Sequence, residues 1–329
     1  MSPEFDLITR HFARGDSSPA GGVLLGVGDD CALLRASDGR DLAVSTDTLV
    51  SGVHFFPDVD PARLGHKALA VNLSDLAAMG AKPSWFTLAL TLPAVDHDWL
   101  SAFSRGLFAL ADEANIRLVG GDTTRGPLSM TLTVMGHVPH GAALRRDGAR
   151  AGDEVWVSGT LGDAALGLAS MQGRVVVDGA HRVFALDRLE QPTPRLALGM
   201  ALRGLATSAI DISDGLLADL GHICERSSLS ANIRNADLPL SQAMLSVGDA
   251  QLRARLALTG GDDYELCFTA PPSAHANIRK LGEVLQQPLT CIGVMREGSA
   301  VLVLDSDGRE MALPASGFDH FSSASYGQP

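Results

Sequence analysis

Residues 41–80 read DLAVSTDTLVSGVHFFPDVDPARLGHKALAVNLSDLAAMG, and this stretch decides the fold. Its apolar run at 42–44 predicts a strand that ends in the hydroxyl and carboxyl groups of residues 45–48. The next signal is Asp60-Pro61, which predicts a helix start because Asp is a good N-cap and proline suits the first turn. Gly80 is a typical helix stop, so we expect the helix to end at about residue 79.

The predicted helix is mostly apolar, yet it carries Asn72 and Asp75 three residues apart and therefore on one face. An ionised carboxylate in an apolar helix is costly unless it is paired or binds a cation. The alternative is that Asp75 lies on the solvated side of the helix. We favour the paired or cation-binding interpretation because the helix has few polar residues and because similar acidic motifs recur elsewhere in the chain.

Composition limits the class of protein. The chain has 329 residues, of which 46% are hydrophobic and 19% are charged, and this length suits about two globular domains. A net charge of −12 disfavours nucleic acid as a partner, because nucleic-acid binding needs a basic surface. The four cysteines are dispersed, without a CxxC pair, which disfavours a disulfide framework or a zinc site. With neither a signal peptide nor a membrane span visible, we expect a cytoplasmic protein without membrane partners.

Strand and helix patterns occur in both halves of the chain without a regular βαβ alternation. This favours an α+β fold class with two mixed α/β domains. We predict an N-terminal domain over 1–140, a C-terminal domain over 150–321 and a frayed tail over 322–329. Helices are predicted at 4–14, 60–79, 98–114, 163–171, 193–206, 216–226, 241–247 and 273–286. Strands are predicted at 23–25, 42–44, 84–92, 116–119, 129–138, 153–158, 209–212, 230–233, 266–269, 289–294 and 300–304.

One local pattern recurs at the predicted strand ends: an apolar run, then glycine or a small hydroxyl residue, then aspartate. It occurs as GVGDDC (26–31), STDT (45–48), GGDTT (120–124), DISDG (211–215) and GGDDYE (260–265). Carboxylates beside hydroxyls suit Mg²⁺, and glycines let backbone N–H groups approach a phosphate. Each motif alone is a common turn, but five in one acidic chain predict a site for magnesium and phosphate groups. Walker A, GxGxxG and protein-kinase motifs are absent from the sequence.

Six segments in this order resemble the thiamine-monophosphate kinase family, which belongs to the aminoimidazole-ribonucleotide synthetase superfamily. They are GVGDDCA, AVSTDTLVSGVHF, KALAVNLSDLAAMGA, LVGGDTTRGPL, SAIDISDGL and GGDDYELCF, and the resemblance extends over residues 5–321. It implies transfer of the γ-phosphoryl group of ATP to thiamine phosphate with the help of several Mg²⁺ ions. It also implies a homodimer that pairs through the N-terminal sheet, with the nucleotide in a cleft.

The resemblance also implies roles for particular residues. The implied metal positions are Asp30, Ser45, Thr46, Asp47, Asp75, Asp122, Asp211 and Asp214. The implied ATP contacts are Gly121, Asp122, Arg146 and Ser213, and those of thiamine phosphate are His54, Asp262 and Phe318. Asp47, Asp75, Asp122 and Arg146 would form the catalytic group. Asp262 occupies a position where the resemblance also allows Glu. Asp keeps the negative charge but has a shorter side chain.

The expected chemistry agrees with a site rich in aspartate. The acceptor is a phosphate oxygen that is already largely ionised near neutral pH, since its second pKa is about 6, so it needs no general base. It needs relief from repulsion between two polyanions and an in-line approach. Purely structural alternatives stay open for several residues: His54 as a turn or packed histidine, Phe318 as a core or tail anchor, and Arg145 and Arg146 as solvated linker charges. We interpret Cys31 as a buried filler and not as a nucleophile.

Two other functions are weighed against the kinase. The first is another ATP-dependent synthetase of the same superfamily. A selenophosphate synthetase would carry a reactive Cys before Cys31, and a hydrogenase-maturation dehydratase would end in a functional Cys, whereas the last one here is Cys291. The second is a non-catalytic nucleotide- or metal-binding module, which the complete set of acidic motifs disfavours.

Overall fold

The computed structural model describes residues 23–25, 31–35 and 39–311. The helix predicted at 4–14, the acidic residues before Cys31 (Asp30 among them), Phe318 and the predicted tail lie outside the described residues.

The first half of the chain forms a six-stranded sheet in the order β1-β2-β3-β6-β4-β5. Its described strands are β1 (Val23–Leu25), β2 (Ala32–Arg35), β3 (Arg40–Val50), β4 (Lys82–Leu92), β5 (Arg117–Arg125) and β6 (Ser129–Pro139). Strands β4 and β5 pair in parallel, and the other described pairs are antiparallel. Two helices, α1 (Pro61–Ala78) and α2 (His97–Glu113), pack on one face of this sheet and bury its apolar side chains.

Helix α1 follows the local signals of its sequence. The Asp60 carboxylate accepts the backbone N–H groups of Ala62 and Arg63, and Pro61 occupies the first turn. The predicted helix is therefore confirmed to within one residue at each end. Its C-terminal end also reaches the second half of the chain, because Ala77 and Ala78 are buried in a cluster with Phe268. Helix α1 is thus shared by the cores of both halves.

The second half forms another six-stranded sheet, in the order β12-β9-β11-β7-β10-β8. Its strands are β7 (Glu154–Ser158), β8 (Ser208–Asp211), β9 (Ser230–Arg234), β10 (Leu266–Ala270), β11 (Leu289–Arg296) and β12 (Val301–Leu304). Its helices are α3 (Asp163–Met171), α4 (Gly179–Glu190), α5 (Leu196–Leu202), α6 (Leu216–Ser227), α7 (Gln242–Ser246), α8 (Ala250–Thr259) and α9 (His275–Val284). The mixture of mostly antiparallel sheets and packed helices confirms the α+β prediction.

Several predicted boundaries are wrong in an informative way. The STDT motif does not follow a strand but lies inside β3, and GGDTT lies inside β5. Both strands are long because their neighbours extend the pairing beyond the apolar residues. The sequence analysis also missed β2, α4 and α8. In contrast, DISDG and GGDDYE do lie at strand ends. DISDG starts at the last residue of β8, and GGDDYE directly precedes β10.

None of the helices in the described part is both long and apolar enough to cross a membrane.

Candidate active site

A polar layer lies between β3 and α1. The Ser45 hydroxyl donates to Asp75 Oδ2 at 2.5 Å, and the Asp47 backbone N–H donates to Asn72 Oδ1 at 3.1 Å. Asn72 is itself fixed, because its Nδ2 donates to the Ala68 carbonyl at 3.0 Å. Asp75 therefore faces the sheet, and the interpretation of a solvated Asp75 is wrong. The arrangement places Ser45, Asp47 and Asp75 on the same side of β3.

Thr46 does not share that side. Its hydroxyl lies 2.8 Å from the hydroxyl of Thr133, and Thr48 and Thr131 make the same 2.8 Å contact two residues along the ladder. These threonines lie on the face of the sheet away from α1, because side chains alternate along a strand. We call this surface, with the exposed side chains of Trp85 and Ala89, the open face of the first sheet.

Asp122 lies far from Asp47 within one chain. Strand β5 is separated from β3 by β6 and β4, which is three strand spacings or about 14 Å. The register pairs Asp122 with Ala89, and Ala89 with Thr131, so the Asp122 side chain belongs to the open face. All of β5 is exposed. The structure therefore does not bring Asp122 and Gly121 together with Ser45, Asp47 and Asp75 in a single chain.

The DISDG motif forms a tight loop after β8. Asp219 of α6 accepts the backbone N–H groups of Ser213, Asp214 and Gly215 at 3.0, 3.1 and 3.1 Å. Burial raises the pKa of Asp219 well above its usual range, and the nearby Asp214 and Asp211 raise it further. A single buried carboxylate thus shapes the loop that carries three of the predicted site residues. The sequence analysis missed Asp219, although its place four residues after Gly215 in a helix is a recognisable signal.

Arg146 approaches this loop. It begins a short 3₁₀ turn, Arg146–Gly148, and the Ser227 hydroxyl donates to its carbonyl at 2.9 Å. Its positive charge opposes part of the rise in the pKa of Asp219, so Arg146 lies near enough to interact with this carboxylate. Arg145, by contrast, pairs with Asp147 at the surface. The solvated-charge alternative therefore fits Arg145, and Arg146 acts on the acidic loop.

The GGDDYE segment is held in a strained backbone conformation. Asp262 and Tyr264 have φ values of +67° and +49°, which are uncommon for residues other than glycine. Their backbone N–H groups donate to the carbonyls of Ser213 and Ile212, both at 2.8 Å. These bonds attach the segment to the end of β8, beside the DISDG loop.

Two buried acidic side chains hold the same segment through contacts in the protein interior. The Asp263 carboxylate accepts the Gly162 N–H at 2.7 Å, and burial raises the pKa of Asp263 to about 8. Glu265 is fully buried and binds Arg188 at 2.8 Å, Arg195 and the Ser158 hydroxyl. A charged network of this kind is costly to bury and stabilises the fold only when every partner is present. From the sequence, the motif was interpreted as part of a magnesium and phosphate site with Asp262 as a substrate contact, and the structural roles of Asp263 and Glu265 were not predicted.

Tyr264 marks where the two halves of the site meet. Burial raises the pKa of Tyr264 well above its usual range, and Asp262, Asp47 and Asp211 raise it further. Asp47 belongs to the first sheet and Asp211 to the second, so the structure brings acids from both halves around one hydroxyl. Tyr264 is packed in the apolar core of the first half although it belongs to the second.

Lys67 of α1 completes this junction, and the sequence analysis missed it. Its ammonium lies 3.1 Å from Asp262 Oδ2 and its side chain is 5% exposed. The signal was a single lysine in the apolar segment KALAVNLSDLAAMG.

His54 lies in the turn after β3, where its Nδ1 accepts the Val50 N–H at 3.0 Å. His54 is thus a turn residue, and its predicted contact with thiamine phosphate stays a prediction; the bond at Nδ1 puts the proton of a neutral ring on Nε2.

The oxygen donors at this junction suit a hard cation such as Mg²⁺, which also binds water or phosphate oxygens. Within the described residues, no three His, Cys, Asp or Glu side chains are close enough to hold one ion. The oxygens of Ser45, Asp47 and Asp75 on one side and of Asp211 and Asp214 on the other are the type that Mg²⁺ prefers, with water or phosphate oxygens completing its shell. All four cysteines lie outside disulfides, and Cys31 is 2% exposed, as expected for a buried filler.

Comparison with known proteins identifies the class. The model of "AIR synthase related protein, N-terminal domain" matches residues 28–138. Structures of the hydrogenase maturation protein HypE share the fold, one of them an E. coli HypE with a TM-score of 0.71 at 23% identity. Residues 28–138 therefore match an AIR synthase-related N-terminal domain, and the chain shares its overall fold with HypE.

The relatives identify the family within that class. Thiamine-monophosphate kinase of Escherichia coli K12 is 52% identical over 320 residues, covering 97% of this chain and 98% of that one. A thiamine-monophosphate kinase structure from Stenotrophomonas maltophilia K279a has 50% identity and a TM-score of 0.79, covering 89% and 93% of the two chains. AaThiL complexed with AMPPCP and TMP has 30% identity and a TM-score of 0.83, covering 97% and 96%. The chain belongs to the thiamine-monophosphate kinase family, and its interpretation as an enzyme of that family is confirmed.

Proposed function

We propose that this protein transfers the γ-phosphoryl group of ATP to thiamine phosphate, giving thiamine diphosphate and ADP. The observation that carries the proposal is the junction at Tyr264, where Asp47, Asp211 and Asp262 from both halves converge. The relative AaThiL, whose structure holds AMPPCP and TMP together, supports a site for two phosphate-bearing ligands.

The residues divide into three roles in this proposal. Ser45, Thr46, Asp47, Asp75, Asp211 and Asp214, together with Asp30 and Asp122, would hold several Mg²⁺ ions, which when bound neutralise the charge of the facing phosphates. Arg146, Ser213 and Gly121 would contact ATP, with Arg146 donating to phosphate oxygens. His54, Asp262 and Phe318 would contact thiamine phosphate. For Thr46 the role falls to its backbone oxygen, because its hydroxyl lies on the open face.

Transfer would be direct and in line. The acceptor oxygen of thiamine phosphate is already ionised, so alignment and charge neutralisation suffice and no side chain has to remove a proton. Accordingly no covalent phosphoenzyme forms. We infer a cytoplasmic reaction, which the use of ATP and the four cysteines outside disulfides support.

The proposal is tested by following thiamine diphosphate and ADP formation with ATP and Mg²⁺. Thiamine phosphate, free thiamine and aminoimidazole precursors are compared as acceptors. We expect product from thiamine phosphate, loss of activity with EDTA, and at least a hundredfold lower kcat for Asp47→Asn and for Asp75→Asn. Product from an aminoimidazole precursor instead would favour a synthetase of the superfamily. Radiolabel from ATP on the protein itself would contradict direct transfer.

We also propose that the active form is a homodimer joined through the first sheet, at its exposed edge strand β5 and the adjoining open face. Two observations support it. Strand β5 is an exposed edge that includes Val119, which is 58% exposed, and such edges are usually covered in native proteins. Asp122 lies on the open face, away from Asp47, so an Asp122 that binds the same ligands would come from the second copy.

A further inference from the structure

Lys67 is a cation that lies inside an otherwise acidic junction. It belongs to α1, one to two turns before Asn72 and Asp75, and it is 4% exposed. Its ammonium reaches across to the second half of the chain, where it lies 3.1 Å from Asp262 Oδ2. Burying an ammonium is costly unless it is paired, so this contact accounts for its place in the core.

The other oxygen of the same carboxylate is held as well. The Tyr264 hydroxyl donates to Asp262 Oδ1 at 3.0 Å, and Tyr264 is itself buried. Both Asp262 oxygens therefore have a donor within the protein, one from each half. The left-handed backbone at Asp262 and its N–H bond to Ser213 fix where the side chain begins. The Asp262 side chain is still 31% exposed, so an approaching ligand can reach the carboxylate.

Without these donors Asp262 would not stay where it is. Asp47 and Asp211 both lie close enough to perturb the neighbouring Tyr264, so the surroundings of Asp262 are negative. Like charges at such distances repel, and an aspartate side chain has a second well-populated rotamer to occupy. An ammonium and a hydroxyl on its two oxygens oppose that movement.

We propose that Lys67, assisted by Tyr264, is a positioning residue that holds the Asp262 carboxylate in the orientation required for binding the acceptor. The proposal rests on the proposed function, since it takes thiamine phosphate as the acceptor. A carboxylate repels a phosphate group, so Asp262 would face the hydrogen-bond-donating or cationic end of that substrate. Because Lys67 lies on α1 and Asp262 on the second half, acceptor binding is also tied to correct docking of the two halves.

The test compares three purified variants in steady-state kinetics. Lys67→Met removes the ammonium and keeps much of the side-chain volume, Tyr264→Phe removes the hydroxyl, and Lys280→Met is the control at an exposed position of α9. We expect Lys67→Met to raise KM for thiamine phosphate about tenfold or more, the size expected for losing a bond to a charged group. KM for ATP should change less than twofold. Tyr264→Phe should act in the same direction by a smaller factor, and Lys280→Met should not differ from the wild type.

A double-mutant cycle with Asp262→Asn decides whether Lys67 acts through Asp262. If it does, adding Lys67→Met to Asp262→Asn changes KM for thiamine phosphate by less than threefold, because the shared interaction is already lost. The same tenfold change in both backgrounds would overturn the proposal and make Lys67 a direct ligand of the substrate. An equal rise in both KM values, with a lower melting temperature, would overturn it in favour of a purely structural role.

A crystal structure of Lys67→Met separates this inference from the function. Movement of the Asp262 carboxylate from its place beside Tyr264 supports the positioning role whatever the enzyme phosphorylates. An unmoved carboxylate overturns it. Failure of the wild type to phosphorylate thiamine phosphate would instead contradict the proposed function, and it would be seen before any variant is made.

Discussion

Asp263 shows how burial changes the chemistry of a single residue in the GGDDYE segment. Its neighbour Asp262 reaches the junction, whereas Asp263 turns into the interior under the N-terminus of α3. Burial raises the pKa of Asp263 to about 8, so this group carries a proton in the folded protein at neutral pH. Two adjacent aspartates thus have different roles because one is solvated and the other is not.

The raised pKa predicts a pH dependence of stability. In the unfolded chain an aspartate has a pKa of about 3.9, so between that value and about 8 the native state holds a proton that the unfolded state has lost. The contribution of Asp263 to stability is therefore complete below about pH 4 and is lost as pH rises through 8. Urea unfolding at several pH values should show a smaller decrease between pH 5 and 8 for Asp263→Asn than for the wild type. The same change at exposed Asp112 should leave the slope unaltered, and an equal slope in all three proteins would contradict the assignment.

At the scale of elements, the contact between α1 and α2 positions much of the site. The two helices approach so closely that a Cβ on Gly106 would lie 1.8 Å from the Ala62 carbonyl oxygen, and one on Gly65 would lie 2.0 Å from that of Phe103. Only glycine permits this distance, because the obstructing atoms belong to the backbone and cannot rotate away. Any displacement of α1 would move Asn72 and Asp75 relative to β3.

Gly106→Ala should therefore separate the helices. We expect it to destabilise the protein by about 1–3 kcal/mol, the usual cost of overpacking, and to lower kcat. Gly221→Ala in α6 is the matched control, because a Cβ there meets nothing within 4 Å. That change should stabilise the protein by about 0.5–1 kcal/mol, since alanine is the better helix former. Thermal unfolding of both variants measures the difference, and a shift of the same sign in both would show that the helices are not in such close contact.

The elements also show which sequence patterns are sufficient to predict a helix or a strand. Helix α1 could be predicted because its N-cap, proline and glycine signals are local. Helix α4 could not, because only Ala185 and Leu189 are buried along it while Phe184 is 41% exposed, so it has no clear apolar stripe. Strand β5 was predicted too short for a different reason. Its glycines and polar residues are poor strand formers, and pairing with β4 is what keeps residues 120–125 extended.

At the scale of the whole molecule, the proposed sharing of Asp122 between two chains makes a sharp prediction. Co-expressed, differently tagged chains allow purification of a mixed dimer with Asp47→Asn on one chain and Asp122→Asn on the other. If each site takes Asp47 from one chain and Asp122 from its partner, one of the two sites is intact and about half of the wild-type activity returns.

The matched control puts both substitutions on one chain and pairs it with a wild-type chain. In a shared site this dimer should be inactive, because each site then lacks one aspartate. If every chain holds its own complete site, the two outcomes are reversed: the first dimer is inactive and the second retains half the activity. Sedimentation equilibrium of the wild type provides the independent check, and a monomer at assay concentration would contradict the dimer itself.

The sequence by itself determined the α+β class, the long capped helix α1, the oxygen-rich motifs and, through their order, the family. These follow from local signals and from residue types, which need no knowledge of distant contacts. Only the tertiary structure decided which acids meet at Tyr264, that Asp219 and Asp263 support loops, that Lys67 pairs with Asp262, and that Asp122 lies about 14 Å from Asp47. The physical reason is that strand order, sheet face and burial depend on packing between residues far apart in the chain, and these contacts set both the position and the charge of each side chain.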